Sequence, residues 1–243
     1  MRVATYNIAS GFNASSLFKS LLGHFSINTL KSFRLVKTRS RFIDQALDLA
    51  CSVSPNILCL NEILPSLHAD RINGKLPELG FNIIGLKISL KDPLQKNTIL
   101  ALKEKSEEIL FRLPYAPMGR NAAAYIPSKN LIVIGVHLNV FSKPRGVQIQ
   151  AIKTFVDGQF ALGRRVILLG DFNCSLEELK NLGIIGTSAP TNLYSWFLRW
   201  LTNFAKDLDH IILFNRDFTF SNIQTHKGHS DHMLLYCDLE EVK

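Results

Sequence analysis

Short apolar runs recur along this 243-residue chain, each bounded by polar or turn residues. They are rich in Val, Ile and Leu and far shorter than the ~18 residues that a membrane-spanning helix needs. Runs of this kind are typical of strands buried in a sheet. We expect strands at Val3–Ile8, Asn56–Leu60, Leu131–Val140, Val166–Leu169, His210–Phe214 and Met233–Leu239.

Segments with helical periodicity lie between these runs, and the alternation predicts an α/β fold. Ser175-Leu-Glu-Glu is a capping box that begins a helix, and Gly183 is placed to end it. There is no internal repeat and no Pro/Gly-rich linker, so we expect one domain over 1–243. The residues that share a helical face are Phe42, Ala46, Leu49 and Ala50, and then Ile149, Ile152, Phe155 and Val156.

Polar clusters mark the ends of the predicted strands. Four strands end in such a cluster and two begin with one, so opposite strand directions would bring all six to one edge of a mixed sheet arrangement. Ligand sites at strand ends are the rule in such folds. Any strand leaving the core has polar ends, but six clusters rich in Asn, Asp, Glu and His favour a site. The clusters are Tyr6-Asn7, Asn61-Glu62, His137-Leu-Asn139, Gly170-Asp171-Phe-Asn173, Asp209-His210 and Ser230-Asp231-His232.

These residue types suit the hydrolysis of phosphate esters, which needs a cation, a base that activates water and donors for the transition state. Glu62, Asp171 and Asp231 offer the oxygen ligands that Mg²⁺ or Mn²⁺ prefers. The neutral amides that can bind phosphoryl oxygens without repelling them belong to Asn7, Asn139 and Asn173.

The histidines add donors and proton carriers. His137 and His232 can donate to phosphate oxygens or move protons. Asp209 can pair with one of them, raise its pKa and hold its orientation.

Together the clusters resemble the motifs of the endonuclease/exonuclease/phosphatase superfamily, in the same order and with similar spacing from residue 3 to residue 239. Gly-Asp-Phe-Asn after an apolar strand and Ser-Asp-His near the C-terminus are the most specific pair. The resemblance implies an α/β fold of the DNase I-like kind, a four-layer sandwich of two mixed β-sheets flanked by helices. The motifs are Thr5-Tyr6-Asn7, Asn61-Glu62, His137-Leu138-Asn139, Gly170-Asp171-Phe172-Asn173, Leu208-Asp209-His210 and Ser230-Asp231-His232.

The resemblance also implies roles on the metal side of the site. By position, Glu62 is the principal metal ligand, helped by Asn7 and Asp231, and the metal is Mg²⁺ or Mn²⁺. Asp171 orients and deprotonates the attacking water, and Asn173 lies beside it on the phosphate.

The remaining positions imply contacts with the phosphate. His232 resembles the histidine that polarises the phosphate, backed by Asp209, and His137 resembles a second phosphate-facing histidine. The substrate-binding positions implied, in part by looser matches, are Asn7, Asn139, Arg120 and Asn97.

The sequence departs from the family pattern at several positions, and these departures narrow the set of family activities that we expect. Asn61 stands where Gln is usual and keeps the amide, and Met233-Leu234 follows the last motif where a proline is frequent. AP endonucleases of the superfamily carry a tyrosine three residues before the position of His137, where this chain has Ile134. Abasic-site cleavage is therefore disfavoured, and His137 resembles the nuclease I, lipid phosphodiesterase and phosphatase branches.

Positive charge is concentrated near the N-terminus. The net charge is +8, and seven Lys or Arg residues precede Asp44, the first acidic residue. Such a segment favours a polyanionic partner, either nucleic acid or an anionic membrane surface, although a solvated loop explains it equally well. The densest part of the run comprises Lys31, Arg34, Lys37, Arg39 and Arg41.

Two segments resemble insertions into the minimal fold. One covers 10–40 and contains most of the basic run, and the other covers 193–204. The second has an apolar helical stripe, which is more often core packing than a lipid-facing or base-stacking helix. The stripe comprises Leu193, Trp196, Phe197, Trp200, Leu201 and Phe204.

The spacing of three histidines offers an alternative metal site. His226, His229 and His232 form an H-x-x-H-x-x-H series that suggests zinc, although the other candidate ligands are oxygens.

The four cysteines contain no C-x-x-C pair and favour reduced thiols. With no export signal at the N-terminus, these thiols predict a cytoplasmic protein, and we infer no obligate protein partner.

Three functional hypotheses follow. The first is a Mg²⁺-dependent phosphodiesterase acting on nucleic acid, an endo- or exonuclease, which the basic segment supports. The second is a lipid-directed phosphodiesterase or inositol-phosphate phosphatase, which the aromatic stripe supports. The third is an inactive scaffold, which the intact carboxylates disfavour.

Overall fold

Strands alternate with helices over 2–84 and 131–190, as predicted, but strands follow one another without an intervening α-helix among the described residues of 82–137 and 187–241. The computed structural model describes residues 1–9, 42–117, 119–184, 186–190, 207–214, 217–230 and 232–242. The helices are α1 (Ile43–Ser52), α2 (Pro65–Glu78), α3 (Ser142–Ala161) and α4 (Leu176–Asn181), with a 3₁₀ turn at Pro127–Lys129. The strands are β1 (Arg2–Asn7), β2 (Ile57–Ile63), β3 (Asn82–Ile84), β4 (Asn97–Leu102), β5 (Glu107–Glu108), β6 (Asn121–Ile126), β7 (Leu131–His137), β8 (Arg165–Asp171), β9 (Thr187–Pro190), β10 (Asp209–Leu213), β11 (Phe218–Lys227) and β12 (Met233–Glu241).

The described strands form two mixed sheets. One has the order β11-β12-β1-β2-β4-β3, and the other has the order β5-β6-β7-β8-β10-β9. β1 and β2 are parallel, as are β7 and β8, whereas β12 is antiparallel to β1 and β10 is antiparallel to β8. These are the directions that bring the six polar clusters to one edge, so the predicted arrangement is confirmed.

Three apolar layers hold the fold together. The first lies between the two sheets, where Val3 and Cys59 of one sheet share a buried cluster with Val133 of the other. A second layer packs α1 and α2 on the outer face of the first sheet, and a third packs α3 and α4 on the second sheet. Helix, sheet, sheet and helix therefore follow one another, which confirms the four-layer sandwich.

One predicted strand is too long. The apolar run Leu131–Val140 predicts a strand to its end, but β7 ends at His137. The main chain leaves the sheet at Leu138, whose N–H donates to the Asp171 carbonyl at 2.9 Å. A turn closed by the side-chain oxygen of Asn139, which accepts from Phe141 N, then leads into α3. Hydrophobicity therefore continues past the point at which the backbone hydrogen bonds require a turn.

Local helix signals are confirmed. Ser175 Oγ accepts from Glu178 N at 3.3 Å to cap α4, and Gly183 follows the helix with a φ of +91°. The predicted face at Ile149, Ile152 and Val156 is buried in α3. In α1 Ala46 and Ala50 are buried as predicted, but Ile43 and Leu47 complete that face and Phe42 precedes the helix. None of the helices among the described residues is long and apolar enough to cross a membrane. All four cysteines are free thiols, and all but Cys51 are buried.

The two predicted insertions, 10–40 and 193–204, lie outside the described residues. The single domain over 1–243 and the choice between a core and an interfacial role for the aromatic stripe therefore stay predictions. The basic run from Lys31 to Arg41 lies outside the described residues as well.

His68 is a fully buried histidine in the first turn of α2. Its Nδ1 accepts from Leu64 N at 3.2 Å, so the ring proton is on Nε2, which has no partner among the described groups. Burial disfavours the imidazolium and lowers the pKa of His68 to about 4. The unfolded chain therefore binds a proton here at a higher pH than the folded protein does.

We expect His68→Asn to flatten the acid dependence of stability. The folded-state pKa of His68 is depressed from 6.5 to about 4, so the stability that its neutral form contributes is present above pH 6.5 and is lost as the pH falls through this window. One such group changes the free energy of unfolding by at most about 1.4 kcal/mol per pH unit. Asn keeps an acceptor for Leu64 N but takes up no proton, so urea unfolding across the window should show a shallower slope. A change at the exposed His226, His226→Asn, is the matched control, and equal slopes for both variants would contradict the assignment.

Candidate active site

The packing of the two sheets gathers the predicted side chains at one edge. In the first sheet Asn7 and Asn61 are neighbours on parallel strands. In the second sheet Asp171 lies between His137 on β7 and Asp209 on β10. Residues 34 to 54 positions apart in the sequence therefore lie side by side within each sheet.

A β-bulge directs Glu62 towards this edge. The pairing of β2 with β4 shifts register between Leu60 and Ile63, so Asn61 and Glu62 lie in an irregular step. Glu62 has a φ of +61°, an unusual conformation for a glutamate, and its side chain is buried. Strained backbone at a buried acidic residue is typical of functional sites, where surrounding structure maintains it.

The Asp171 carboxylate lies at the centre of the buried polar network. Its Oδ1 accepts from Asn173 N at 2.9 Å, and its Oδ2 accepts from Asn7 Nδ2 at 2.9 Å, across the two sheets. Burial raises the pKa of Asp171, and the nearby His232 and His137 partly oppose that rise. The preceding Gly170 has a φ of +137°, and a Cβ there would lie 2.1 Å from the Val136 carbonyl oxygen, so glycine is required.

Asp209 and His232 form a tight pair beside this carboxylate. His232 Nδ1 lies 2.6 Å from Asp209 Oδ2, which places His232 Nε2 3.8 Å from Asp171 Oδ2. Ser230 fixes the loop that carries His232, because its Oγ donates to the Asn7 carbonyl at 2.6 Å and accepts from His232 N at 3.1 Å. The predicted pairing of Asp209 with a histidine is present.

His137 lies on the opposite side of Asp171, with its Nε2 3.6 Å from Asp171 Oδ2. Arg120 Nη1 lies 2.7 Å from His137 Nδ1 and 3.2 Å from its Nε2. We assign the nearer Nδ1 as the acceptor from the guanidinium, which places the ring proton on Nε2. Burial and the positive charge of Arg120 lower the pKa of His137 to about 4. His137 is thus a neutral donor at physiological pH.

Asn173 and Asn139 lie at the site, whereas Asn61 and Asn97 make hydrogen bonds that hold neighbouring strands and loops together. Asn173 Nδ2 donates to the Leu138 carbonyl at 2.9 Å, while Asn139 lines the cleft but uses its Oδ1 to accept from Phe141 N. Asn61 joins the sheets, because its Nδ2 lies 2.9 Å from both Thr98 Oγ1 and the Val136 carbonyl. Asn97 is buried, and its Nδ2 donates to the carbonyls of residues 85 and 87.

Lys96 is a site residue that sequence reasoning missed. Its side chain is buried, and its Nζ lies 2.6 Å from Glu62 Oε2. It lines a cleft of about 290 Å³ together with Glu62, Arg120 and His137. The residue precedes β4, which pairs antiparallel to β2 with Asn97 opposite Ile63. The contact between Lys96 and Glu62 follows from this strand register, which cannot be read from the sequence.

The donor set fits a divalent cation. Asp171, Asp209 and His232 offer ligand atoms that all lie within 4.8 Å of one another, and buried carboxylates need a compensating cation. Oxygen ligands of this kind suit Mg²⁺ or Mn²⁺. Of the metal ligands predicted from the resemblance, Glu62 contacts Lys96, Asn7 Oδ1 accepts from Ala9 N at 3.0 Å, and Asp231 lies outside the described residues. That predicted ligand set stays a prediction.

The three histidines of the zinc alternative do not form a cluster. The ring of the exposed His226 packs against Tyr236. The ring of His229 lies 5.1 Å from that of Phe42, while His232 is paired with Asp209. Among the described residues, these three histidines therefore share no metal site.

The family comparison agrees with this geometry. A model of the Endonuclease/Exonuclease/phosphatase family matches residues 4–232, which is most of the chain. No curated protein matches the sequence.

Solved structures share the fold at low sequence identity. The endonuclease/exonuclease/phosphatase from Bacteroides vulgatus is 16% identical with a TM-score of 0.65, over 99% of this chain and 98% of that one. The 3' phosphatase NExo from Neisseria, bound to product DNA hairpin, is 15% identical with a TM-score of 0.59, over 99% of both chains. The human Nocturnin catalytic domain with bound sulfate is 15% identical with a TM-score of 0.61, over 100% of this chain and 93% of that one.

We expect Lys96→Met to destabilise the metal-free protein and to strengthen its response to Mg²⁺. Removing one partner of a buried ion pair leaves the Glu62 carboxylate without its cation, which costs about 3–5 kcal/mol. A divalent ion held by Glu62 would then restore more stability to the variant than it adds to the wild type. Thermal unfolding with EDTA and with increasing Mg²⁺ measures both effects.

The matched control is Lys75→Met, which removes the lysine of a more exposed ion pair with Asp48. That change should have little effect on stability and none on the Mg²⁺ response. If Lys96→Met behaved like this control, Glu62 would not be a metal ligand.

Proposed function

The chain belongs to the endonuclease/exonuclease/phosphatase family, and from that premise we propose that it is a Mg²⁺- or Mn²⁺-dependent phosphodiesterase that hydrolyses nucleic acid. The observation that carries the proposal is the Asp171 carboxylate, held by Asn7 from the other sheet and flanked by His137 and His232. This arrangement places a proton acceptor next to donors suited to phosphoryl oxygens.

Asp171 is proposed as the general base. Its two oxygens are held by Asn173 N and Asn7 Nδ2, so the carboxylate keeps one orientation. Burial raises the pKa of Asp171, which makes the ionised carboxylate a better acceptor for the proton of an attacking water. In this role Asp171 takes up that proton on a carboxylate oxygen.

Donors for the phosphate are proposed on both sides of this base. Asp209 holds His232 by its Nδ1 and leaves Nε2 directed towards the Asp171 carboxylate. On the other side, His137 is neutral and can donate from Nε2, and Arg120 supplies a permanent positive charge. Asn173 and Asn139 are the further amides proposed to bind substrate.

Glu62, Asp231 and Asn7 are proposed to hold the cation. When bound, a divalent cation neutralises charge on the phosphoryl oxygens. Around it, Lys96 and Arg120 contribute fixed positive charge to the same cleft.

Nucleic acid ranks above lipid as the proposed substrate. The solved structures with the same fold include a 3' phosphatase bound to a DNA hairpin and a TDP2 protein complexed with single-strand DNA product. The basic N-terminal run suits phosphate backbones and anionic lipid alike, so it does not separate the two substrates. Lipid-directed activity depends on the aromatic stripe at 193–204, outside the described residues, and so has less support.

We expect Asp171→Asn to lower turnover by about 10²–10⁴-fold, because an amide has a similar shape but takes up no proton. The variant should fold with some loss of stability, since Asn still offers an oxygen to Asn173 N but its NH2 group no longer accepts from Asn7 Nδ2. Steady-state hydrolysis of plasmid DNA and RNA measures the effect, and thermal unfolding checks folding. Asp157→Asn, which alters a surface ion pair with Lys153, is the control. Turnover of Asp171→Asn within a few-fold of wild type would show that Asp171 is not the base.

We expect EDTA to abolish hydrolysis and added Mg²⁺ or Mn²⁺ to restore it, because the candidate ligands are mostly carboxylate and amide oxygens. A side-by-side assay on plasmid DNA, RNA, phosphoinositides and sphingomyelin also tests the substrate class. Full activity in EDTA would contradict the metal dependence. Restoration by zinc alone would contradict the choice of metal, and hydrolysis of lipids alone would contradict the choice of substrate.

A further inference from the structure

Two large apolar side chains are exposed where the cleft opens. Tyr115 is 74% exposed and Phe141 is 71% exposed, and both line the cleft that contains Arg120 and His137. We call these two residues the aromatic rim. Neither ring contributes much buried area to the folded protein, so folding does not explain their positions.

A single buried amide ties the two rim loops together. Gln148, on α3, is 1% exposed. Its Nε2 donates to the Pro114 carbonyl at 3.0 Å, next to Tyr115, and its Oε1 accepts from Asn139 N at 2.8 Å, two residues before Phe141. Breaking either bond would leave a buried polar group without a partner, so both loops are held relative to α3.

A buried arginine fixes the Phe141 loop a second time. Arg145 is 5% exposed, and its Nη1 donates to the carbonyls of Asn139 at 3.1 Å and Val140 at 2.7 Å. The same guanidinium is anchored by Glu178 on α4, with its Nε 3.0 Å from Glu178 Oε1. The loop is therefore preorganised while its phenyl ring remains in solvent.

The backbone at Tyr115, on the other side of the rim, is also held in an uncommon conformation. Tyr115 has a φ of +55°, which is uncommon for a residue with a bulky side chain. Conformations of this kind persist where neighbouring structure imposes them, and they concentrate at ligand sites. The backbone that carries both rings is thus held in place, which reduces the entropy that a ligand would have to overcome on binding.

Given the function proposed above, on which this step depends, we infer that Tyr115 and Phe141 form a subsite for an unpaired nucleobase next to the reacting phosphate. Flat aromatic faces beside cationic groups are the combination that single-stranded nucleic acid recognises, since bases stack on the rings and phosphates contact the cations. Arg120 and Lys96 supply those cations in the same cleft. A base inside a duplex is already stacked on its neighbours, so the rim selects unpaired nucleotides.

The charge of the cleft argues against an acyl chain as the occupant. The cleft also contains Glu62, Lys96 and Arg120, and burying an alkyl chain against such groups would cost their hydration. A nucleotide, in contrast, matches both parts of the cleft, with a base for the rim and a phosphate for the cations.

The test is a binding assay that does not require turnover. Fluorescence anisotropy in EDTA would compare a short single-stranded oligonucleotide, the same strand with abasic residues, and a duplex. Tyr115→Ala and Phe141→Ala should each weaken binding of the base-bearing single strand by about 5- to 150-fold. Binding of the abasic strand and the duplex should be unchanged, because the phosphate contacts remain.

Leu162→Ala is the matched control. Leu162 is 63% exposed and follows the C-terminal end of α3, about 30 Å along the helix from the end near the rim. It should bind every probe as the wild type does. Both rim side chains are exposed, so their removal should leave the unfolding temperature close to that of the control.

The other outcomes overturn the inference in distinguishable ways. Equal losses on the base-bearing and abasic strands would show that the rings contact the backbone rather than a base. Unchanged affinity for all oligonucleotides, with weaker cosedimentation on phosphatidylserine vesicles, would show a lipid-facing rim. If the wild type cleaves nucleic acid but the rim variants lose no base-dependent affinity, only the subsite is wrong. A wild type that neither binds nor cleaves any oligonucleotide would contradict the proposed function itself.

Discussion

The Asp171 carboxylate is buried between the two sheets, and the neighbouring residues at the polar edge must supply its hydrogen-bond donors. Asp171 has almost no contact with solvent, so each of its oxygens needs a protein donor. One donor is local, the backbone of Asn173, and the other is Asn7 from the opposite sheet. The apolar layer between the sheets must therefore pack closely enough for an asparagine on β1 to reach β8. The hydrogen bond from Asn7 to Asp171, and with it the placement of the site, thus depends on correct packing of the core.

Much of this architecture is predictable because its signals are local. An apolar run ending in Asn, Asp, Glu or His reports both a buried strand and the edge at which that strand leaves the core. Whether a cluster ends or begins its strand then predicts the strand direction, and the structure confirms these directions. The limit of such signals is visible at β7, where hydrophobicity continues to Val140 but the strand ends at His137 because Leu138 turns to bond the Asp171 carbonyl.

The features that sequence reasoning missed depend on pairing and tertiary approach. Lys96 meets Glu62 through a register that includes a bulge, and no spacing rule reveals where a bulge falls. Gln148 resembles any polar residue on an amphipathic helix, yet it joins two loops from different parts of the chain. Asn61 is the intermediate case, since the amide is predicted to matter but its use as a tie between the sheets is visible only in the folded protein.

The way α3 secures the cleft has a consequence for thermal behaviour. Gln148 and Arg145 lie in the first two turns of this long helix, and those turns hold the loop at Asn139. Helix ends open more readily than helix centres, with free energies well below that of global unfolding. Warming would therefore loosen the mouth of the cleft while both sheets remain intact. Heat inactivation would be reversible and would begin below the melting temperature of the protein.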